Sequence, residues 1–84
     1  MLKVVFSSHA QRQYEKIREH EVRNRLAHAL ETLAVTPLEG KPLQGDMAGN
    51  RSYRVGDYRI VYQVLAKQQI LGVLRVDHRR EVYR

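Results

Sequence analysis

Residues 51–84 read RSYRVGDYRIVYQVLAKQQILGVLRVDHRREVYR, and this stretch decides the fold. It is rich in Val, Ile, Leu and Tyr, and turn-like residues interrupt it at Gly56-Asp57 and again at 66–68. β-Branched and aromatic residues between short turns are typical of hairpin strands. The middle strand is apolar at both parities, so we expect it at the centre of the sheet. The pattern predicts an antiparallel meander with a short extended tail, its three strands lying at about 51–55, 58–65 and 69–77.

The residues before this stretch predict one more strand and two helices. LKVVF at 2–6 is apolar at every second position, as a strand is. Ser8 and Gln11 have the spacing of a capping box, and the apolar residues after them recur at helical spacing up to Ile17. A second apolar run begins at Val22, out of phase with the first. We therefore expect a tight hairpin of two helices, roughly 8–19 and 21–35.

The segment between the helices and the meander, PLEGKPLQGDMAGN at 37–50, contains both prolines and three of the five glycines. This composition predicts a connecting loop, and we expect its Leu38 and Leu43 to pack against the core. The chain then forms a single α+β domain, residues 1–84, with the helix pair on one face of an antiparallel sheet. Strand alternation leaves the other face open and presents Arg59 on it.

The composition excludes several kinds of site. There is no cysteine, which rules out disulfides and thiolate metal sites. The four histidines lack the spacing of a metal site, so we expect neither a metal nor a cofactor. The first residues are too short an apolar run for a signal peptide, and no stretch approaches the roughly 20 apolar residues of a membrane span. The sequence therefore predicts a cytosolic protein.

Positive charge is concentrated in the last third of the chain. The formal net charge is +6, and the residues from Arg51 onward contribute +5 of it through eight cations and three acids. Seven of those eight cations are arginine, whose planar fork of donors matches phosphate oxygens, whereas lysine is a mobile point charge. A phosphate-bearing partner and a solvated basic face are both compatible with this pattern.

The candidate functional residues are cations and ring side chains at strand positions that one sheet could bring together: Arg54, Arg59, Arg75, His78, Arg79 and Tyr83. Several cations around one phosphate stabilise the charge that develops on its oxygens during transfer. A tyrosine, with an ordinary pKa of about 10, becomes a useful base only where neighbouring cations lower that value. The alternative interpretation is that Tyr83 packs its ring at the end of the sheet while the arginines are merely exposed.

Three motifs connect these residues to a known family: LEGKPLQG, SYRVGDYRIVYQV and ILGVLRVDHRREVYR. Together with the two-helix opening, they resemble the RelE/ParE superfamily of toxins from toxin–antitoxin systems. The resemblance covers nearly the whole chain and implies a small microbial-RNase-like α+β fold. It further implies the activity of the RelE branch, which cuts messenger RNA on the ribosome by attack of a ribose 2′-hydroxyl on the adjacent phosphate.

The resemblance also implies roles for individual residues. Arg59, in GDYR, matches the arginine that stabilises the phosphate in the transition state. Arg79, in DHRR, matches the arginine assigned to the leaving group, and Tyr83, in EVYR, matches the proposed general base. Arg54 matches a basic residue that holds the substrate backbone. The gyrase-poisoning ParE branch generally lacks this Arg/Arg/Tyr set, so the set favours the nuclease branch over a gyrase inhibitor. A non-catalytic RNA-binding module is a further alternative.

Other positions depart from the family pattern or match it less closely. Related toxins often carry a second basic residue two positions before Arg54, where this chain has Ser52. Arg51 lies beside that position with the opposite strand parity. We expect Arg51, Arg75 and His78 to contribute to substrate binding, with His78 either assisting proton transfer or flanking the catalytic arginine. The implied partners are an acidic RelB-like antitoxin, the ribosome and messenger RNA.

Overall fold

A computed structural model describes residues 1–82, with side chains as far as Arg80. Its three helices are α1 (Ser8–Glu15), α2 (His20–Val35) and α3 (Arg79–Val82). Its five strands are β1 (Lys3–Phe6), β2 (Lys41–Pro42), β3 (Arg51–Val55), β4 (Tyr58–Leu65) and β5 (Ile70–His78). The helix hairpin and the three-strand meander are confirmed, and the fold is α+β. No helix within residues 1–82 is long and apolar enough to cross a bilayer.

The five strands form one sheet in the order β1-β5-β4-β3-β2. The meander β3-β4-β5 is antiparallel, and β4 lies at its centre as its apolar residues predict. The expectation of a wholly antiparallel sheet was wrong, because β1 pairs with β5 in parallel. Side-chain alternation has the same period in either strand direction, so the apolar pattern of β1 does not encode its direction.

One face of the sheet packs against α1 and α2 to form the core. The core's largest fully buried side chains come from α2, β4 and β5: Leu26, Leu33, Ile60, Tyr62, Leu71 and Val73. Fully burying an aliphatic side chain of this size stabilises the fold by about 1.5–3 kcal/mol. The opposite face of the sheet carries the alternate residues of each strand and remains open.

A bulge in β5 decides which of its residues reach the open face. Tyr62 opposes Val73 while Val61 opposes Arg75, so Leu74 is the extra residue between them. Before the bulge, odd-numbered residues of β5 such as Leu71 and Val73 face the helices. After the bulge, the even-numbered residues face the helices instead. Arg75 and Asp77 therefore share the open face with β4 residues such as Val61.

Helix α1 and its N-cap supply hydrogen-bond partners for backbone groups in the part of β5 that does not pair with β1. The Ser7 hydroxyl accepts a hydrogen bond from the backbone N–H of Ala10, which caps the helix, and donates to the Leu74 carbonyl at 2.9 Å. Farther along, Gln13 Oε1 accepts from the backbone N–H of Val76 at 2.7 Å. The helix thus replaces a neighbouring strand along this edge. The N-cap is Ser7 rather than the Ser8 predicted from the capping-box spacing.

The loop and the tail differ from their predicted structure at three points. Leu38 is 67% exposed instead of packing against the core, and the loop contributes a two-residue strand, β2, that its Gly- and Pro-rich sequence did not predict. The tail begins as helix α3 rather than as extended chain. Its first turn is fixed by the Arg80 N–H, which donates to His78 Nδ1 at 3.1 Å, and by the Arg79 N–H, which donates to the Asp57 carbonyl.

Candidate functional site

An open cleft of about 530 Å³ lies beside β3, where β2 covers only the first two residues of the strand. Its floor and walls include Gly40, Ser52, Tyr53, Gly56 and Tyr58. Its charged residues are four cations, Lys41, Arg54, Arg59 and Arg79, and two acids, Glu39 and Asp57. The excess of cations makes the cleft suited to an anionic ligand.

Arg54 and Arg59 face each other directly across the β3–β4 ladder. Like charges at directly opposed positions of a sheet are destabilising, so this pair costs the fold stability unless an anion lies between them. Arg54 Nε donates to the Gly56 carbonyl at 3.2 Å, which ties the side chain to the tip of its own hairpin. The register therefore presents two guanidinium groups side by side on the open face.

Arg79 reaches the cleft because the hairpin tip holds the start of α3. Its backbone N–H donates to the Asp57 carbonyl at 2.6 Å, and Gly56 permits the tight turn with a φ of +58°. The hairpin that separates Arg54 from Arg59 thus also fixes the position of the third arginine.

The cleft arginines have no acidic partner among the described side chains. The one ion pair among those side chains joins Arg75 Nε to Asp77 Oδ2 at 3.0 Å. Asp77 is only 3% exposed and also accepts a hydrogen bond from Gln13 Nε2 at 2.8 Å. Arg59 is the cross-strand neighbour of Asp77. Because Asp77 is paired with Arg75, the Arg59 guanidinium can bind a ligand.

Three sequence-predicted site residues do not line the cleft. Arg75 lies on the open face but is paired as described. His78 faces the helices, where its ring meets Tyr58 edge to face at 4.9 Å between centroids and lines a separate cavity of about 120 Å³. Arg51 also faces the helices, opposite Tyr62. Tyr83, the predicted general base, lies outside the described residues.

Arg51 and Tyr62 instead anchor the segment that leads into β2. Arg51 Nη1 donates to the carbonyl oxygens of Leu38 at 3.3 Å and Gly40 at 2.8 Å. The Tyr62 hydroxyl donates to the Pro37 carbonyl at 2.7 Å and accepts from the Gly40 N–H at 3.0 Å. Burial raises the pKa of Tyr62 above its usual value of 10.0, so the phenol remains a donor at neutral pH.

Gly40 is required at this point because the chain passes very close to the core. A Cβ there would lie 2.5 Å from the Tyr62 hydroxyl oxygen and 2.7 Å from the Ser52 carbonyl oxygen. The next residue, Lys41, pairs with Ser52 and lines the cleft. Lys41 was not predicted as a site residue because its strand is two residues long and contains a proline. The one signal in the sequence is a lysine that directly follows a glycine.

No group of three or more His, Asp or Glu side chains among the described residues could hold a metal ion. The chemistry that the described cleft offers is multidentate binding of phosphate by guanidinium and ammonium groups, with aromatic rings at its edge. Such a site can hold a phosphodiester and stabilise negative charge on it.

Comparisons with known proteins find matches over nearly the whole chain. The family model for the ParE toxin of the type II toxin–antitoxin system parDE matches residues 4–83. Toxin RelG of Mycobacterium tuberculosis (strain ATCC 25618 / H37Rv) is 35% identical over 82 aligned positions, and the alignment covers 96% of this chain and 94% of RelG.

Two solved structures superimpose over nearly the whole chain. The toxin–antitoxin complex RelBE2 of Mycobacterium tuberculosis matches with a TM-score of 0.82 and 34% identity, covering 93% of this chain and 98% of the matched chain. The YoeB/ParE toxin of Agrobacterium tumefaciens matches with a TM-score of 0.82 and 27% identity, covering 92% and 98%.

Proposed function

Because this chain belongs to the RelE/ParE superfamily of type II toxin–antitoxin toxins, we propose that it is an endoribonuclease that cuts messenger RNA on the ribosome. The observation that carries the proposal is the meeting of Arg54, Arg59 and Arg79 in one cleft without acidic partners among the described side chains. Such a cleft is poorly suited to an apolar protein partner and well suited to a phosphodiester. The proposed substrate places the activity in the cytoplasm, where ribosomes translate.

In the proposed reaction, the 2′-oxygen of a ribose attacks the adjacent phosphorus and the bond from phosphorus to the 5′-oxygen breaks. The products are a 2′,3′-cyclic phosphate and a free 5′-hydroxyl, whose proton the departing oxygen takes from solvent water. Arg59 stabilises the charge on the non-bridging oxygens, and Arg79 stabilises the departing 5′-oxygen. Both guanidinium groups act by electrostatic stabilisation and not by proton transfer.

The general base of this proposal is Tyr83, which takes the proton of the 2′-hydroxyl. Support for this role comes from the resemblance of EVYR to the family motif, since the residue lies outside the described part of the chain. Deprotonation of a tyrosine near neutral pH requires nearby cations that favour the phenolate. Arg59 and Arg79 are the cations that the cleft supplies.

The remaining candidates take supporting roles. Arg54, at the hairpin opposite Arg59, binds the substrate backbone. Arg75, half exposed on the same face and paired with a buried carboxylate, binds nucleotides that extend beyond the cleft. His78 caps α3 and so holds the segment that presents the leaving-group arginine, and Arg51 fixes the loop that leads into β2.

We further propose a RelB-like antitoxin as the physiological partner. One of the matching structures is the toxin–antitoxin complex RelBE2. A partner that covered this cleft with apolar groups would desolvate three arginines that have no acidic partner among the described side chains, at a cost of several kcal/mol each. An acidic antitoxin segment avoids that cost by supplying carboxylates.

Induction in cells tests the nuclease directly. Wild-type protein should arrest growth and shorten translated transcripts, whereas Arg59→Ala should remove most of both effects, because loss of one charge-stabilising donor slows such reactions by about 100- to 1,000-fold. Arg12→Ala is the matched control, since Arg12 is exposed on α1 and does not line the cleft. Undiminished cleavage by a folded Arg59→Ala protein would contradict the proposal.

A non-nuclease gyrase inhibitor is the second candidate, because the matching family model is described by the ParE toxin. It predicts growth arrest with DNA damage while transcripts stay intact. Because that branch generally lacks the Arg/Arg/Tyr set, it also predicts that Arg59→Ala changes neither toxicity nor transcript length.

A further inference from the structure

We propose that Lys41 is a fourth substrate-binding residue, which holds a phosphate neighbouring the one at Arg59. This inference rests on the proposed function, because it takes the bound strand to be RNA. Lys41 lines the cleft with the three arginines, and no carboxylate lies within 4 Å of its ammonium among the described side chains. Glu39, which lines the cleft two residues before Lys41, therefore does not neutralise the Lys41 ammonium.

The sheet register defines where Lys41 can reach. Lys41 opposes Ser52, and Ser52 opposes Val61, so these three residues share one row across the open face. Arg54 and Arg59 form the next row. Strands lie about 4.8 Å apart, so Lys41 is displaced by roughly 10 Å across the sheet from the strand that carries Arg59. A lysine at that distance contacts a different phosphate of the same RNA strand, while the small Ser52 leaves the space between them free.

The buried contacts behind Lys41 fix it in place. Gly40 has no room for a Cβ, its N–H donates to the Tyr62 hydroxyl, and its carbonyl accepts from Arg51. An exposed loop lysine that served only solubility would need none of these contacts. Here they hold the backbone of the edge strand at one position, which lowers the entropy lost when the side chain binds a phosphate.

A residue in this place binds the substrate without touching the reacting phosphate. Its loss should therefore weaken RNA affinity and leave the rate at saturating RNA nearly unchanged. Each cation that contacts a single strand contributes about 0.7 to the slope of log affinity against log salt concentration. Removing Lys41 should reduce that slope by about 0.7 together with a several-fold loss of affinity at low salt.

The test uses fluorescence anisotropy with a labelled 2′-O-methyl oligonucleotide, which lacks the attacking hydroxyl and is not cut. Lys41→Gln is compared with Lys67→Gln, which removes an exposed lysine from the turn between β4 and β5, outside the cleft. We expect the lower slope only in Lys41→Gln. We also expect the swap Lys41→Ser with Ser52→Lys to restore it, because the two positions are direct neighbours on one face.

Three outcomes would overturn the inference: no measurable binding by the wild type, equal slopes for Lys41→Gln and Lys67→Gln, or a swap that fails to regain the slope. Because the oligonucleotide cannot be cut, the result is independent of nuclease activity. A wild-type protein that cleaves RNA while Lys41→Gln matches Lys67→Gln contradicts only the role of Lys41. If the wild type cuts no RNA but Lys41→Gln still lowers the salt-dependence slope, only the proposed nuclease activity is contradicted.

Discussion

Replacing Tyr62 with phenylalanine should destabilise the protein by about 2–3 kcal/mol, although the ring stays in place. The Tyr62 side chain is fully buried, and its hydroxyl bonds both the Gly40 N–H and the Pro37 carbonyl. Leaving a buried polar group without a partner costs about 1–3 kcal/mol. Gly40 is buried, so its N–H would bear the full cost of losing its hydrogen bond. Pro37 is half-buried, so water can replace part of the hydrogen bond that its carbonyl loses.

Urea unfolding followed by far-ultraviolet circular dichroism measures this cost. For a domain of this size, about 1 kcal/mol corresponds to a shift in Tm of about 4–8 °C, so a Tm lower by roughly 10–20 °C is expected as well. Tyr53→Phe is the matched control, because the Tyr53 hydroxyl makes no hydrogen bond among the described residues and its removal should cost little. A Tyr62→Phe protein as stable as Tyr53→Phe would refute the view that this hydroxyl anchors the loop.

Three further predictions concern stability and pH. Gln13→Leu leaves the Val76 N–H and the buried Asp77 carboxylate each short of a partner, and should lower the free energy of unfolding by about 2–4 kcal/mol in urea titrations. The pKa of Tyr62 is raised in the folded state, so the folded protein retains a proton that the unfolded chain releases; stability should fall as pH rises above about 10, and Tyr62→Phe should lack this part of the fall. His78→Ala removes the cap of α3 and should reduce RNA cleavage with little change in the overall free energy of unfolding, while His78→Asn, which can still cap, should retain most of the cleavage.

The hairpin and helix pattern of the fold could be predicted because it follows from local periodicity. Gly56-Asp57 marks the turn between β3 and β4, and the two apolar parities of β4 place it at the centre. The direction of β1 and the bulge at Leu74 could not be predicted. Strand alternation does not encode direction, and a bulge adds one residue without any distinctive residue type.

The candidate site was predictable to the extent that it depends on parity within one hairpin. Arg54 and Arg59 share the open face because the hairpin turn fixes their register, whereas Arg51 has the opposite parity and faces the helices. The position of His78 depends on the β5 bulge and on helix α3, neither of which has a local signal. The position of Lys41 depends on its pairing with Ser52, 11 positions later in the sequence, and it lies in a loop whose composition resembles irregular structure. The catalytic roles of the arginines stay predictions.

The most direct measurement of the central claim is primer extension on a messenger RNA bound to purified ribosomes, with the wild type, Arg79→Ala and Arg12→Ala added at equal concentrations. The expected result is cuts within translated codons for the wild type and Arg12→Ala, a large loss of cuts for Arg79→Ala, and no cuts when ribosomes are omitted. Intact messenger RNA with the wild-type protein, or equal cutting by a folded Arg79→Ala protein, would contradict it.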